Sequence, residues 1–140
     1  MEPITAVRVR TVPELACVHH VRIPVSNLSA SRDWYAAVLG FDCLLVEEDD
    51  DAVTGVVMHH PGGVTVGLHA DRKRAEALGG FTAIAFSVPD VDAWLEHLDA
   101  LGVEHGHPEA SHLGTAISLA DPDGIVVQLH SSEQPSADEA

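Results

Sequence analysis

A chain of 140 residues with 46% apolar content is long enough for one domain, or for two small halves sharing a core. Its formal charge of −15, from 7 basic and 22 acidic residues, excludes a nucleic-acid surface, which needs clustered Lys and Arg to meet phosphates. No stretch approaches the roughly 20 apolar residues of a membrane span, and the N-terminus lacks a basic-then-apolar signal pattern, so a cytoplasmic protein that engages no membrane is expected.

In chain order, residues 1–14 carry Pro3 and Pro13 and read as a loose leader. Residues 17–25 read as a strand with His20 on one face and Val21, Ile23 and Val25 on the other. Asn27 is an N-cap. Leu28, Ser31, Tyr35 and Val38 follow at helical spacing, and Gly40 fits the left-handed position that ends a helix. Residues 42–47, 55–60 and 64–69 are strand candidates, with Pro61-Gly62-Gly63 turning between the last two. The acidic run from Glu47 to Asp51 reads as a solvated turn or as an attractor for a cationic ligand. Residues 71–79, including Arg72-Lys73-Arg74, read as a linker.

The second half follows the same plan. Residues 82–88 form a strand, and Asp90 caps a helix with an apolar stripe of Val91, Trp94, Leu95, Leu98 and Leu101, stopped by Gly102. Strands are expected at residues 103–106, 115–119 and 125–130, the last after the turn Asp121-Pro122-Asp123-Gly124. Residues 131–140 are polar and read as a disordered tail. The two cysteines, Cys17 and Cys43, make no disulfide framework or zinc spacing, and read as small apolar strand residues in a reducing compartment.

The halves match each other: residues 20–27 resemble 83–90 where each opens, and Val66-Gly67-Leu68-His69 resembles Val127-Gln128-Leu129-His130 where each closes. The expected architecture is therefore α+β, a single domain over residues 15–130 made of two βαβββ modules (about 17–70 and 80–130). Each module forms a curved mixed sheet with a helix on one face, and the paired sheets border a cleft suited to a small molecule.

At three stretches the chain resembles the vicinal oxygen chelate superfamily, which includes glyoxalases, extradiol dioxygenases, fosfomycin-resistance enzymes and bleomycin-binding proteins. The opening His20-x-x-x-x-Val25 with its capped helix and Tyr35 carries the resemblance. So do residues 90–102 with their Leu-Gly stop, and the hairpin Asp121-Pro122-Asp123-Gly124 before an apolar strand. The resemblance spans residues 19–130 and implies four metal-ligand positions, one on each strand that opens or closes a half. His20 fits the first. Gly67, Ala83 and Gln128 stand at the others; two have no side-chain donor, and the third is a neutral amide in place of a carboxylate. These four residues are the expected ligand-binding set.

Strand parity offers a second metal set. His69 shares the face of Gly67 and His130 that of Gln128, so His20, His69 and His130 would form a three-imidazole site for Zn, Fe, Mn or Ni, with Gln128 in support. The other reading of His69 and His130 is solvent-exposed strand ends. His59 and His60 read as hairpin-tip residues and His97 as the outer face of a helix. His105, His107 and His112 flank a loop, and Trp34 and Trp94 pack helix on sheet.

The resulting expectation is a glyoxalase-like small-molecule-binding protein, or a metal-assisted lyase, isomerase or oxygenase with a degenerate metal site. The alternative is a metal-free protein sequestering a cationic antibiotic, as in bleomycin resistance. A homodimer is implied by the resemblance. Whether the cleft forms within one chain or across two stays open.

Overall fold

A computed structural model describes residues 11–132. The expected leader and tail fall largely outside these residues. Eleven elements follow the doubled plan: β1 (Val21–Val25), α1 (Leu28–Leu39), β2 (Asp42–Asp49), β3 (Ala52–His59), β4 (Thr65–Ala70), α2 (Arg72–Ala77), β5 (Thr82–Ser87), α3 (Val91–Leu101), β6 (Glu109–Ser111), β7 (Gly114–Ala120) and β8 (Val126–Ser131). Two four-stranded mixed sheets result, ordered β1-β4-β3-β2 and β5-β8-β7-β6, and neither closes into a barrel.

The register repeats between halves. β1 runs parallel to β4 with Val21, Arg22, Ile23 and Pro24 opposite Val66, Gly67, Leu68 and His69. β5 runs parallel to β8 with Ile84, Ala85, Phe86 and Ser87 opposite Val127, Gln128, Leu129 and His130. The matching pairs carry the sequence-level repeat into three dimensions.

Both long helices form for the reasons their sequences state. Asn27 accepts from the Ala30 amide and Asp90 from the Ala93 amide, satisfying orphan donors of the first turn. Gly40 and Gly102 close the helices at φ of 81° and 70°, where a Cβ would be strained. Period-two alternation then buries Ile23 and Val25 with Val66 and Leu68 against α1. In the second half Val127, Leu129, Ile117 and Leu119 are buried likewise, and one core of these residues spans both halves.

Four expectations change. The first strand begins at Val21, so Cys17 lies outside regular structure, and both cysteines are exposed and free. The linker contains α2, capped by the Asp71 side chain and anchored by fully buried Ala75. The strand expected at 103–106 forms instead at Glu109–Ser111. His105 bonds Asp99 of α3 and holds the preceding loop to the helix, while Pro108 has no N–H for a ladder. Finally, Leu101 is half exposed, so the apolar stripe of α3 is buried only toward Leu98.

The acidic run divides between strand and turn. Glu47 to Asp49 extend β2, while Asp50 and Asp51 form the turn at φ of 49° and 67°.

Polar ties join the halves. Tyr35 donates to Asp121 at 3.2 Å, the Ser26 amide to Asp123 at 3.0 Å, and the His97 Nε2–H to the Val38 carbonyl at 2.9 Å. Trp94 sits edge-on to His97, and Phe41 rests against Phe86 across the junction. No helix among the described residues is long and apolar enough to cross a membrane.

Candidate functional site

One face of each sheet carries its helix, and the other is open. On the open face of the first sheet lies a pocket of about 600 Å³, lined by His19, His20, Arg22, Leu44, Leu45, Glu47, Val57, Thr65, Gly67, Leu68 and His69. Every one of these belongs to the first half. The halves meet at Phe41 against Phe86 and Tyr35 against Asp121, and no second-half residue reaches the lining of this pocket.

Gly67 lies in the floor of the pocket, and Gly55 lies next to it across the sheet, opposite His69. A Cβ built on Gly67 would stand 3.8 Å from Arg22 Cγ and 4.0 Å from His20 Cδ2, ordinary contact distances, so the missing side chain leaves usable space beside both. A Cβ on Gly55 would stand 3.1 Å from Glu47 Oε1, so the Glu47 carboxylate lies over that glycine. His20 is exposed and its Nδ1 sits 3.0 Å from Nδ1 of His19, an arrangement that needs one ring to donate and the other to accept.

The expected site residues divide as follows. His20, Gly67 and His69 share the first pocket. Gln128 and His130 lie on the corresponding face of the second sheet, outside this lining. The Gln128 amide donates to Ser118 Oγ at 3.3 Å. Ala83 sits at a register shift in β5 and packs against the core, where it contributes no polar group. Within a single chain, then, His20 and His69 come together and His130 does not join them. Among the described residues no group of three or more His, Cys, Asp or Glu could hold a metal ion. The four positions that the resemblance assigns to metal ligands do not fit a metal: Gly67 and Ala83 lack side-chain donors, and Gln128 offers a neutral amide oxygen on the other sheet, outside the pocket that holds His20.

The cross-strand rows show what strand parity alone could not. Glu47, Gly55, His69 and Pro24 stand side by side across the first sheet. Glu109, Ala116, His130 and Ser87 stand side by side across the second. Each half therefore presents a Glu-small-His row on its open face. Arg22 and Glu47 were not among the expected site residues. Arg22 had a visible signal, since it shares the parity of His20, but the place of Glu47 depends on its pairing with Gly55.

Residues 18–129 match the family described as Glyoxalase/Bleomycin resistance protein/Dioxygenase superfamily. The metallothiol transferase FosB of Staphylococcus haemolyticus is 28% identical over 120 residues, covering 81% of this chain and 81% of that protein. A member of the glyoxalase/bleomycin resistance protein/dioxygenase superfamily from Sphaerobacter thermophilus superposes with a TM-score of 0.69 at 28% identity, over 84% of this chain and 98% of that one. TnmS3, an antibiotic-binding protein from Streptomyces sp. CB03234, superposes with a TM-score of 0.66 at 23% identity, over 88% and 100%.

Proposed function

Because the chain belongs to the Glyoxalase/Bleomycin resistance protein/Dioxygenase superfamily, we propose that it is a small-molecule-binding protein whose site is the open face of the first sheet, completed by the open second sheet of another copy. The observation that carries this is the pocket of about 600 Å³ over Gly67, with charged walls and an apolar flank from Leu44, Leu45 and Val57. Small-molecule sites combine such an apolar lining with a few convergent polar groups. The exposure of Leu44 at 62% and Leu45 at 48% supports a second copy as the cover.

Two finer readings differ in chemistry. A metal-assisted enzyme is favoured by the FosB relative and by His20 and His69 sharing a pocket; it needs a second copy to supply His130. A metal-free sequestering protein is favoured by the fold shared with TnmS3 and by glycine and alanine at the ligand positions.

Thermal-shift screening of the full chain against small molecules tests the common reading. The panel includes cationic glycopeptide antibiotics, as a bound guest raises the melting temperature by mass action. Gly67→Leu places bulk on the floor from a Cβ that meets its neighbours only at ordinary contact distances, and should abolish any shift while leaving the unliganded melt unchanged. Shifts that survive Gly67→Leu would place the site elsewhere. Metal analysis of untagged protein after reconstitution separates the finer readings: a stoichiometric ion lost in His20→Ala supports the enzyme, and no retained ion supports sequestration.

A further inference from the structure

The open face of the first sheet holds an arginine that no acid among the described residues pairs with. Arg22 is exposed and stands opposite Gly67 in the β1–β4 register. Among the described residues it makes neither an ion pair nor a hydrogen bond, whereas Arg32 pairs with Asp33, Arg74 with Asp71, and Arg72 reaches the Ser26 carbonyl. In a chain with 22 acidic and 7 basic residues, a guanidinium left unpaired inside a pocket is not a consequence of scarce carboxylates.

The acids that share a pocket wall with Arg22 are held elsewhere: Asp71 pairs with Arg74. Glu47 lines the pocket over Gly67, yet its carboxylate lies over Gly55, in the row of His69, and forms no ion pair with Arg22. Gly67 leaves a shelf beside Arg22 Cγ and His20. Leu44, Leu45 and Val57 add an apolar flank. Guanidinium is a planar fork of donors that matches two oxygens borne on one atom, and it stays charged at any working pH.

We infer that this pocket binds a small organic anion, a carboxylate or a phosphate-type group on an apolar body. Arg22 takes two neighbouring oxygens above the Gly67 shelf, and the body lies against Leu45 and Val57. The inference rests on the reading of this face as the ligand site. At this face Arg22 supplies the positive charge that a metal would otherwise bring, at the place where Gly67 offers no ligand. It also sets a preference opposite to that suggested by net charge. At long range −15 attracts cations, but the contact surface at Gly67 is cationic.

The test is an NMR titration of the full chain with four probes of one shape: benzoate, phenyl phosphate, neutral benzamide and cationic benzamidine. The signals to follow are the Arg22 Nε–H and the backbone amides of Gly67 and Val57. Benzoate or phenyl phosphate should shift them saturably, and the tighter of the two identifies the anion class. Arg22→Gln should weaken that probe about 10-fold or more, Arg22→Lys should weaken it less, and Lys73→Gln, on α2, should leave it unchanged. Arg22 has no hydrogen-bond or ion-pair partner among the described residues, so the melting curve of Arg22→Gln should overlay the wild type. If benzamide or benzamidine binds as well as the anions, or Arg22→Gln binds benzoate normally, the anion inference falls and the site reading stands. If no probe of any charge moves these signals, both fall.

Discussion

His105 bonds two acceptors at once. Its Nε2 lies 2.8 Å from Asp99 Oδ1 and its Nδ1 lies 2.8 Å from the Gly106 carbonyl oxygen. Neither acceptor can donate, so only the protonated ring, with both nitrogens donating, makes both bonds at once. The Gly106 bond, followed by the Asp99 bond, raises the pKa of His105 above its ordinary 6.5. A base whose folded pKa is raised stabilises fully below its unfolded pKa, and that contribution is lost as pH rises through the folded value. The segment before β6 should therefore loosen on the alkaline side of the ordinary histidine range. Its reporter is the Gly106 amide, which donates to the Ser118 carbonyl at 2.8 Å. Between about pH 6 and about pH 9, hydrogen exchange at Gly106, corrected for intrinsic base catalysis, should lose protection in the wild type. In His105→Gln protection should be low throughout. Equal pH dependence in the two proteins would mean that the imidazolium does not hold this loop.

The hairpin joining β2 and β3 is an element with a visible strain. Asp50 and Asp51 both adopt positive φ, 49° and 67°, the signature of a tight turn whose twist matches that of the strands it joins. Aspartate tolerates this conformation, but glycine enters it without a Cβ penalty. Asp51→Gly should raise the stability of the chain by about 1 kcal/mol and Asp51→Val should lower it, read from urea-unfolding midpoints at constant slope. Turns of this kind, and the two long helices, were legible because their signals are local: Asn27 with Gly40, Asp90 with Gly102, Pro61-Gly62-Gly63 and Asp121-Pro122-Asp123-Gly124. The helix α2 was not, because its six residues bury one side chain, Ala75, and six residues show no stripe. The edge strand β6 was misplaced because Val103 reads as strand, while the tie from His105 to Asp99 is a tertiary contact. Local parity likewise grouped His20, Gly67 and His69, but the shift in β5 at Ala83 and the pairing of Glu47 with Gly55 are registers that no run of residues displays. Nor does parity state which open face lies opposite which, so it could not say that His130 stands apart from the first pocket.

At the scale of the molecule, the two repeats behave as one cooperative body if the junction between them is part of the core. Asp121 is the polar centre of that junction. Its carboxylate is 5% exposed as a residue, and burial pushes its pKa up, against the pull of the Asp123 and Ile125 amides and the Tyr35 hydroxyl. A raised acid pKa means that the folded state binds the proton more readily than the unfolded chain, so the charged form costs stability as pH rises above the unfolded value. The three donors offset that cost. Tyr35→Phe removes one of them and should destabilise by about 1 kcal/mol, more at neutral pH than at acid pH, where the carboxyl is protonated. The two tryptophans make the larger question measurable, because Trp34 lies on α1 in the first half and Trp94 on α3 in the second. With Trp94→Phe the remaining fluorescence reports the first half, and with Trp34→Phe it reports the second. Denaturation followed by fluorescence in each single-tryptophan variant should coincide with that variant's own loss of circular dichroism, as a two-state chain requires. Tyr35→Phe added to either background should move both signals together. A first-half signal that shifted while the second stayed in place would show that Phe41, Phe86 and the Tyr35–Asp121 bond join two independently folding modules.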